Sequence, residues 1–191
     1  MINNNSNSNH SDSYGSVTKI LHAIIAVLFI TQFVLIYWRA ELAENNPLGL
    51  TLILLHKSIG FSLLFLGLSF IVWHFISTKP PFPVHLKTWE KISATLSHNF
   101  LLIIIFLMPF SGTVMSMASN KGIKWFGYPI PNLISPNEAL AGFFYNTHVY
   151  VSYITLGLLI LHMLATLKHY LYDKYTKNPL DKNNIWQRMW W

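Results

Sequence analysis

The sequence contains no cysteine and little charge. Of its 191 residues, 10% are charged and 52% are hydrophobic, whereas soluble domains carry about 25% charged residues. The missing thiols exclude disulfides, thiolate metal ligands, iron–sulfur clusters and cofactors attached through cysteine. No segment interleaves basic and aromatic side chains, and no glycine-rich phosphate loop occurs, so we expect no nucleic-acid partner. The composition instead indicates a membrane protein.

Four long apolar runs dominate the chain. They cover roughly residues 17–38, 50–76, 93–117 and 143–172, and each reaches the ~20 residues that a helix needs to cross a bilayer. Isolated strands cannot cross, because unpaired backbone is not tolerated in lipid. We therefore predict an all-α, integral membrane four-helix bundle in contact with membrane lipid.

The two ends of the chain differ from this apolar middle. Residues 1–16 are polar and low in complexity, which predicts a disordered N-terminus. Residues 17–172 hold the four predicted helices in a single domain. Residues 173–191 are basic and rich in tryptophan, which predicts a cytoplasmic tail with its indole rings at headgroup level.

The distribution of lysine and arginine predicts the orientation. With both termini in the cytoplasm, the inner side holds nine basic residues: Lys19, Lys79, Lys87, Lys91, Lys168, Lys174, Lys177, Lys182 and Arg188. The outer side then holds three, which are Arg39, Lys121 and Lys124. We predict a multi-pass protein with both termini cytoplasmic, in which residues 118–142 form the longest outer connection and lie over the bundle.

Four histidines fall at two depths in the predicted helices. His56 and His148 lie near the outer ends of helices two and four, and His22 and His162 lie near the inner ends of helices one and four. The 14 residues from His148 to His162 span ~21 Å and turn the helix ~1400°, about 40° short of four full turns. Both histidines of helix four therefore share one face. This spacing predicts two pairs, His56 with His148 and His22 with His162.

The type and number of ligands indicate what each pair binds. Neutral imidazole binds zinc, copper or haem iron. Zinc and copper sites usually need further ligands, and the four apolar runs contain no carboxylate and no cysteine. Two histidines from two helices fit six-coordinate haem, and four-helix bundles commonly house cofactors this way. We predict two haems between the helices, with closed coordination that favours electron transfer.

Three further residues and one alternative stay open from the residues alone. His98 lies at the inner depth and competes with His22 or His162, although we interpret it as a polar contact to a haem propionate or a neighbouring helix. Lys57 either reaches to the outer surface or attracts an anion or a propionate there. His169 shares the face of the predicted ligands. A haem-free transporter or assembly factor that uses histidine for protons or metal is the alternative.

Three stretches resemble the bacterial cytochrome b561 family. They are "LLHKSIG" at 54–60, "LMPFSG" at 107–112 and "THVYVSYITLGLLILHMLATLKHY" at 147–170, and the resemblance covers about residues 14–191. It implies two haem b groups, with iron bound by His22 and His162 at the inner site and by His56 and His148 at the outer site. It also implies that His98 is not a ligand and that His169 belongs to a quinone site.

The resemblance also implies a function, because the family includes a membrane-bound superoxide oxidase that reduces ubiquinone. We therefore expect an oxidoreductase of the superoxide:quinone type in the bacterial inner membrane. Lys57, Lys121 and Lys124 would steer superoxide to the outer face, with no certain catalytic residue. The alternative is a cytochrome b electron-transfer subunit that serves a partner dehydrogenase or a periplasmic carrier.

Overall fold

A computed structural model describes residues 13–82 and 86–175. Its elements in chain order are α1 (Ser16–Ala40), α2 (Pro47–Ile76), α3 (Thr88–Ala118), β1 (Ile123–Trp125), β2 (Tyr128–Ile130) and α4 (Glu138–Tyr175). The predicted all-α class with four long apolar helices is confirmed, and the short antiparallel hairpin of β1 and β2 is an addition within the predicted outer connection. Most of the predicted disordered start and most of the predicted tail lie outside the described residues.

All four helices within the described ranges are long and apolar enough to cross a membrane. Each is longer than its apolar run because polar caps extend it. The Asn46 side chain accepts a hydrogen bond from the Leu48 amide at 3.0 Å, which starts α2 at Pro47, a favoured first residue. The Glu90 carboxylate accepts one from the Lys87 amide at 3.0 Å, as in a capping box.

Asn137 caps α4 in the same way. Its side-chain oxygen accepts a hydrogen bond from the Leu140 amide at 2.9 Å, so α4 begins at Glu138. Hydropathy alone could not find these starts, because the capping residues are polar and precede the apolar runs.

The described chain forms two compact units, and each takes a segment from every helix. The first, which we call the hairpin unit, comprises Ile24–Ser69 and Ile103–Ile154. It contains both strands. The second, the terminal unit, has its described residues within Met1–Ala23, Phe70–Leu102 and Thr155–Trp191. Each unit contains one of the predicted histidine pairs.

In the hairpin unit, α2 and α3 meet closely at Gly67. A Cβ atom at Gly67 would lie 2.6 Å from the Ile105 carbonyl oxygen. That carbonyl lacks its usual helical partner, because the residue four positions on is Pro109, which has no N–H. The glycine therefore allows a direct backbone approach.

The terminal unit is held by polar contacts between helices. The Trp73 indole on α2 donates a hydrogen bond to the Thr18 hydroxyl on α1 at 2.8 Å. Lys168 on α4 pairs with Glu90 on α3 at 2.5 Å and lies over the Trp89 ring, 5.2 Å from its centre. These contacts link all four helical segments of the unit in two pairs.

Candidate haem-binding histidine pairs

The hairpin unit brings together His56 of α2 and His148 of α4. Their ring centres are 6.3 Å apart and their planes cross at 89°. Both side chains are half-buried. The two histidines that the sequence spacing pairs are therefore neighbours in this unit.

The terminal unit brings together His22 of α1 and His162 of α4. Their ring centres are 6.2 Å apart, with planes at 56°. His162 is half-buried, whereas His22 is exposed. The spacing nearly equals that of the hairpin unit, although the partner of α4 is α1 here and α2 there.

Both ring-centre separations leave room for one metal ion between the two imidazoles. An imidazole nitrogen binds a metal at about 2 Å and lies about 1.1 Å from its ring centre, so two opposed rings have centres roughly 6 Å apart. Among the described residues, no group of three or more His, Cys, Asp or Glu side chains is arranged to hold a metal ion. Paired imidazoles without further ligands suit haem iron, whose other positions are filled by the macrocycle.

The surroundings of His148 also fit a metal ligand. Its Nδ1 lies 3.1 Å from the Met108 carbonyl oxygen and 3.0 Å from the Ser111 hydroxyl, both on α3. A carbonyl oxygen can only accept a hydrogen bond, so Nδ1 carries the proton and donates it. Nε2 then has the free electron pair that a metal needs. Ligating histidines are typically oriented by such a bond from the other nitrogen.

Gly112 provides the space for the His148 ring. A Cβ atom at this position would lie 3.0 Å from Cε1 and 3.2 Å from Nδ1 of the ring. Both distances are shorter than ordinary van der Waals contacts. The glycine of "LMPFSG" is therefore explained by the approach of an imidazole from α4.

His56 has a less settled environment. Its Nδ1 is buried and has no hydrogen-bond partner in the described part of the chain, and the same is true of Gln32 Oε1. The other end of the Gln32 amide donates to the His56 backbone carbonyl at 3.2 Å. Buried polar atoms without partners are rare in native structures. Nδ1 of His56 therefore differs from Nδ1 of His148, which has two oxygens within hydrogen-bond distance.

His98 of α3 adds a third imidazole to the terminal unit. Its ring centre is 5.5 Å from that of His162, with planes at 67°, and its side chain is exposed. This separation is shorter than the roughly 6 Å of two opposed ligands. His98 of α3 thus contacts His162 of α4, and its role as a polar contact, with His22 as the ligand, stays a prediction.

The hairpin is fastened to α2 directly after His56. The Lys57 ammonium donates to the Gly122 carbonyl at 3.1 Å. The buried Ser58 hydroxyl lies 2.9 Å from the Lys124 carbonyl and accepts a hydrogen bond from the Phe126 amide at 3.0 Å. Lys57 is thus held by the hairpin, and its attraction of an anion or a propionate stays a prediction.

The turn of the hairpin requires left-handed backbone. Phe126 has a φ of 48° and Gly127 a φ of 97°, as in the tight turns that favour antiparallel strands. The Trp125 indole then donates to the Ser62 hydroxyl at 2.9 Å. Sequence analysis missed this hairpin, although Gly127 is a turn signal between two short runs.

His169, the predicted quinone residue, lies on α4 in the terminal unit. It is half-buried and close enough to Glu90 for an electrostatic interaction. Glu90 in turn pairs with Lys168. Sequence reasoning did not identify Glu90 near this residue, and it also missed Gln32 and Ser111.

Comparisons with known proteins agree with these features. Residues 13–178 match the family model for prokaryotic cytochrome b561. The chain is also 29% identical over 169 residues to "Cytochrome b561 homolog 2" of Escherichia coli (strain K12), an alignment that covers 87% of this chain and 89% of the relative. The chain belongs to the prokaryotic cytochrome b561 family, whose members are multi-pass membrane proteins that bind haem b and transfer electrons.

Proposed function

We propose that the chain binds two haem b groups and transfers electrons from superoxide to a quinone. His56 and His148 would hold one haem, and His22 and His162 the other. The observation that supports the two haem sites is the pair of ring-centre separations, 6.3 and 6.2 Å. Each haem, when bound by two imidazoles, supplies a one-electron redox centre without an open coordination position.

The overall reaction defines what the protein residues must do. Two superoxide anions each lose one electron and leave as oxygen, and the two electrons with two protons reduce one quinone to its quinol. The protein must therefore attract an anion at one site and supply protons at another. The proposed location is the bacterial inner membrane, with both termini in the cytoplasm.

Basic side chains in the hairpin unit support the anion site. Lys121 and Lys124 are exposed, and Lys57 is close enough to Lys121 for their charges to interact. A cluster of like charges raises the local concentration of an anion and its rate of association. Since Lys57 donates to the Gly122 carbonyl, it also holds the hairpin that carries the other two lysines.

The terminal unit holds the groups that support the quinone site. His169 can donate a hydrogen bond or a proton to a quinone oxygen, and Glu90 and Lys168 lie in the same unit as a charged pair. Histidine suits this role because its charge state changes near neutral pH.

The first experiment is a visible spectrum of the full-length protein in detergent, oxidised and reduced with dithionite, with haem quantified per chain. Two low-spin b-type haems per chain are expected, and a folded protein without haem would refute the proposal. Superoxide-dependent quinone reduction is then measured in the same preparation.

Charge-removal variants test the anion site. The double variant Lys121→Gln, Lys124→Gln should lower the second-order rate with superoxide by roughly tenfold and reduce its salt dependence. Lys79→Gln, which removes an exposed charge in the terminal unit, is the matched control and should not change the rate. Two reducible haems without any superoxide reaction would instead favour the alternative, a subunit that accepts electrons from a partner protein.

A further inference from the structure

We propose that Ser111 is a positioning residue that sets the orientation and the donor strength of His148 toward haem iron. The inference rests on the proposed role of His148 as a ligand. Ser111 touches the ligand but, in this proposal, acts on the iron only through the imidazole ring.

Three contacts define the arrangement. Ser111 is fully buried, with 0% of its surface exposed. Its hydroxyl donates to the Met108 carbonyl at 2.9 Å, and its oxygen lies 3.0 Å from His148 Nδ1. The same carbonyl lies 3.1 Å from Nδ1. Because the hydroxyl hydrogen is directed to the carbonyl, the oxygen can accept, and the Nδ1 proton has two acceptors.

Two acceptors at one N–H restrict the ring. A half-turn of the imidazole about its Cβ–Cγ bond would move Nδ1 away from both oxygens and bring a carbon in its place. Hydrogen bonds to the second nitrogen also make a ligating imidazole a stronger electron donor. A stronger donor stabilises ferric over ferrous iron, which lowers the reduction potential.

A purely local role does not account for this placement. Serine in helices often bonds to a carbonyl of the preceding turn, as Ser69 does with the Phe65 carbonyl at 2.9 Å at an exposed position. Ser111 makes the same kind of bond but lies in the buried interior beside the ring nitrogen of another helix. Its oxygen is therefore shared between a backbone group and a proposed ligand.

The test compares Ser111→Ala with Ser116→Ala in the full-length, haem-loaded protein. Ser116 is on the same helix and is 3% exposed. In Ser111→Ala we expect two haems per chain, roughly tenfold faster haem loss from one site, and a higher reduction potential for one haem only. Ser116→Ala should leave both potentials at their wild-type values. The low-spin electron paramagnetic resonance signal should change for the same haem whose potential moves.

Further variants assign the effect. Ser111→Cys is close in size but a weaker acceptor, so it should shift the potential in the same direction, and it replaces the alanine variant should that one fail to fold. Ser111→Thr keeps the hydroxyl, so the reduction potential should stay at the wild-type value. His162→Ala, expected to retain only the hairpin-unit haem, identifies the haem affected.

The outcomes separate this inference from the proposed function. Equal shifts in Ser111→Ala and Ser116→Ala, or no shift in Ser111→Ala and Ser111→Cys, would overturn the positioning role while leaving both haems in place. A wild-type protein without haem would instead overturn the proposed function.

Discussion

The hairpin unit and the terminal unit differ in the groups that surround their paired histidines. In the hairpin unit one of the paired histidines, His148, lies within hydrogen-bond distance of two oxygens of α3. In the terminal unit a third imidazole, from His98, contacts His162. Hydrogen bonds set the orientation of His148 in the first pair. In the second pair, His162 has two neighbouring imidazole rings instead of one.

This difference has an energetic consequence. A site whose groups are already oriented loses less conformational entropy on binding, so its affinity is higher. Nδ1 of His148 is protonated and its ring is fixed by the fold, whereas His162 has two imidazole neighbours. We therefore expect the hairpin unit to bind haem more tightly than the terminal unit.

Removal of one proposed haem ligand from each unit should have the largest effect on haem content and tests directly whether the two units bind haem separately. We expect His148→Ala and His162→Ala each to lower the haem content from two per chain to one, because each removes one of the two histidines that would hold that haem. The measurement is haem per chain after purification. Loss of both haems in either variant would show that the two sites are not independent.

Substitution of Gly112 should have the next largest effect. In Gly112→Ala the new methyl group would lie 3.0 Å from the His148 ring, so the ring must move and haem affinity at this site should fall by roughly 10- to 100-fold. Haem transfer to an excess of apomyoglobin measures the loss.

Gly142→Ala is the control for this substitution. Gly142 is in α4 of the same unit, and nothing lies within 4 Å of an added Cβ. Its effect should be neutral or slightly stabilising, by about 0.5–1 kcal/mol, as for glycine in a helix interior. Unchanged haem transfer in Gly112→Ala would contradict the close approach of the ring.

Substitution of Ser58 tests the attachment of the hairpin. Ser58→Ala removes the hydroxyl that bonds both Lys124 and Phe126, which should destabilise the hairpin by about 0.5–1.5 kcal/mol per hydrogen bond lost. Hydrogen exchange of the hairpin amides should accelerate. Ser69→Ala, on the same helix but bonded only to its own turn, should leave this exchange unchanged.

Substitution of His98 tests whether this third imidazole affects the haem of the terminal unit without serving as its ligand. His98→Ala should retain two haems per chain, since the 6.2 Å spacing of His22 and His162 satisfies the iron, while the low-spin signal of the terminal-unit haem should change. Haem content and electron paramagnetic resonance spectra measure the two results. A drop to one haem would make His98 a ligand in place of His22.

The smallest effect is expected for the ion pair of the terminal unit. Lys168→Gln removes the partner of Glu90 at 2.5 Å, yet the lysine is exposed to solvent, and ion pairs at the surface contribute only about 0–1 kcal/mol. Thermal unfolding should therefore change little, and less in high salt than in low salt. A large loss of haem in this variant would contradict this expectation, because it would mean that the ion pair also stabilises the haem site of His22 and His162.

The four apolar helices could be predicted from the sequence alone, and so could the depth of each histidine along its helix. Helices of membrane length follow from local hydropathy, because each apolar run must satisfy its backbone within itself. The two pairs follow from helical periodicity, since His148 and His162 are 14 residues apart on one helix. Both inferences depend on regularities that operate along a single chain segment.

The surroundings of each histidine pair could not be predicted from the sequence. The roles of Gly112 and Ser111 depend on the approach of His148 from another helix, and the hairpin depends on Ser58 bonding to residues far along the chain. Such contacts join positions with no fixed spacing in sequence. Their distances arise only when the helices pack. Packing places two oxygens of α3 beside the His148 ring and two imidazoles, those of His22 and His98, beside the His162 ring.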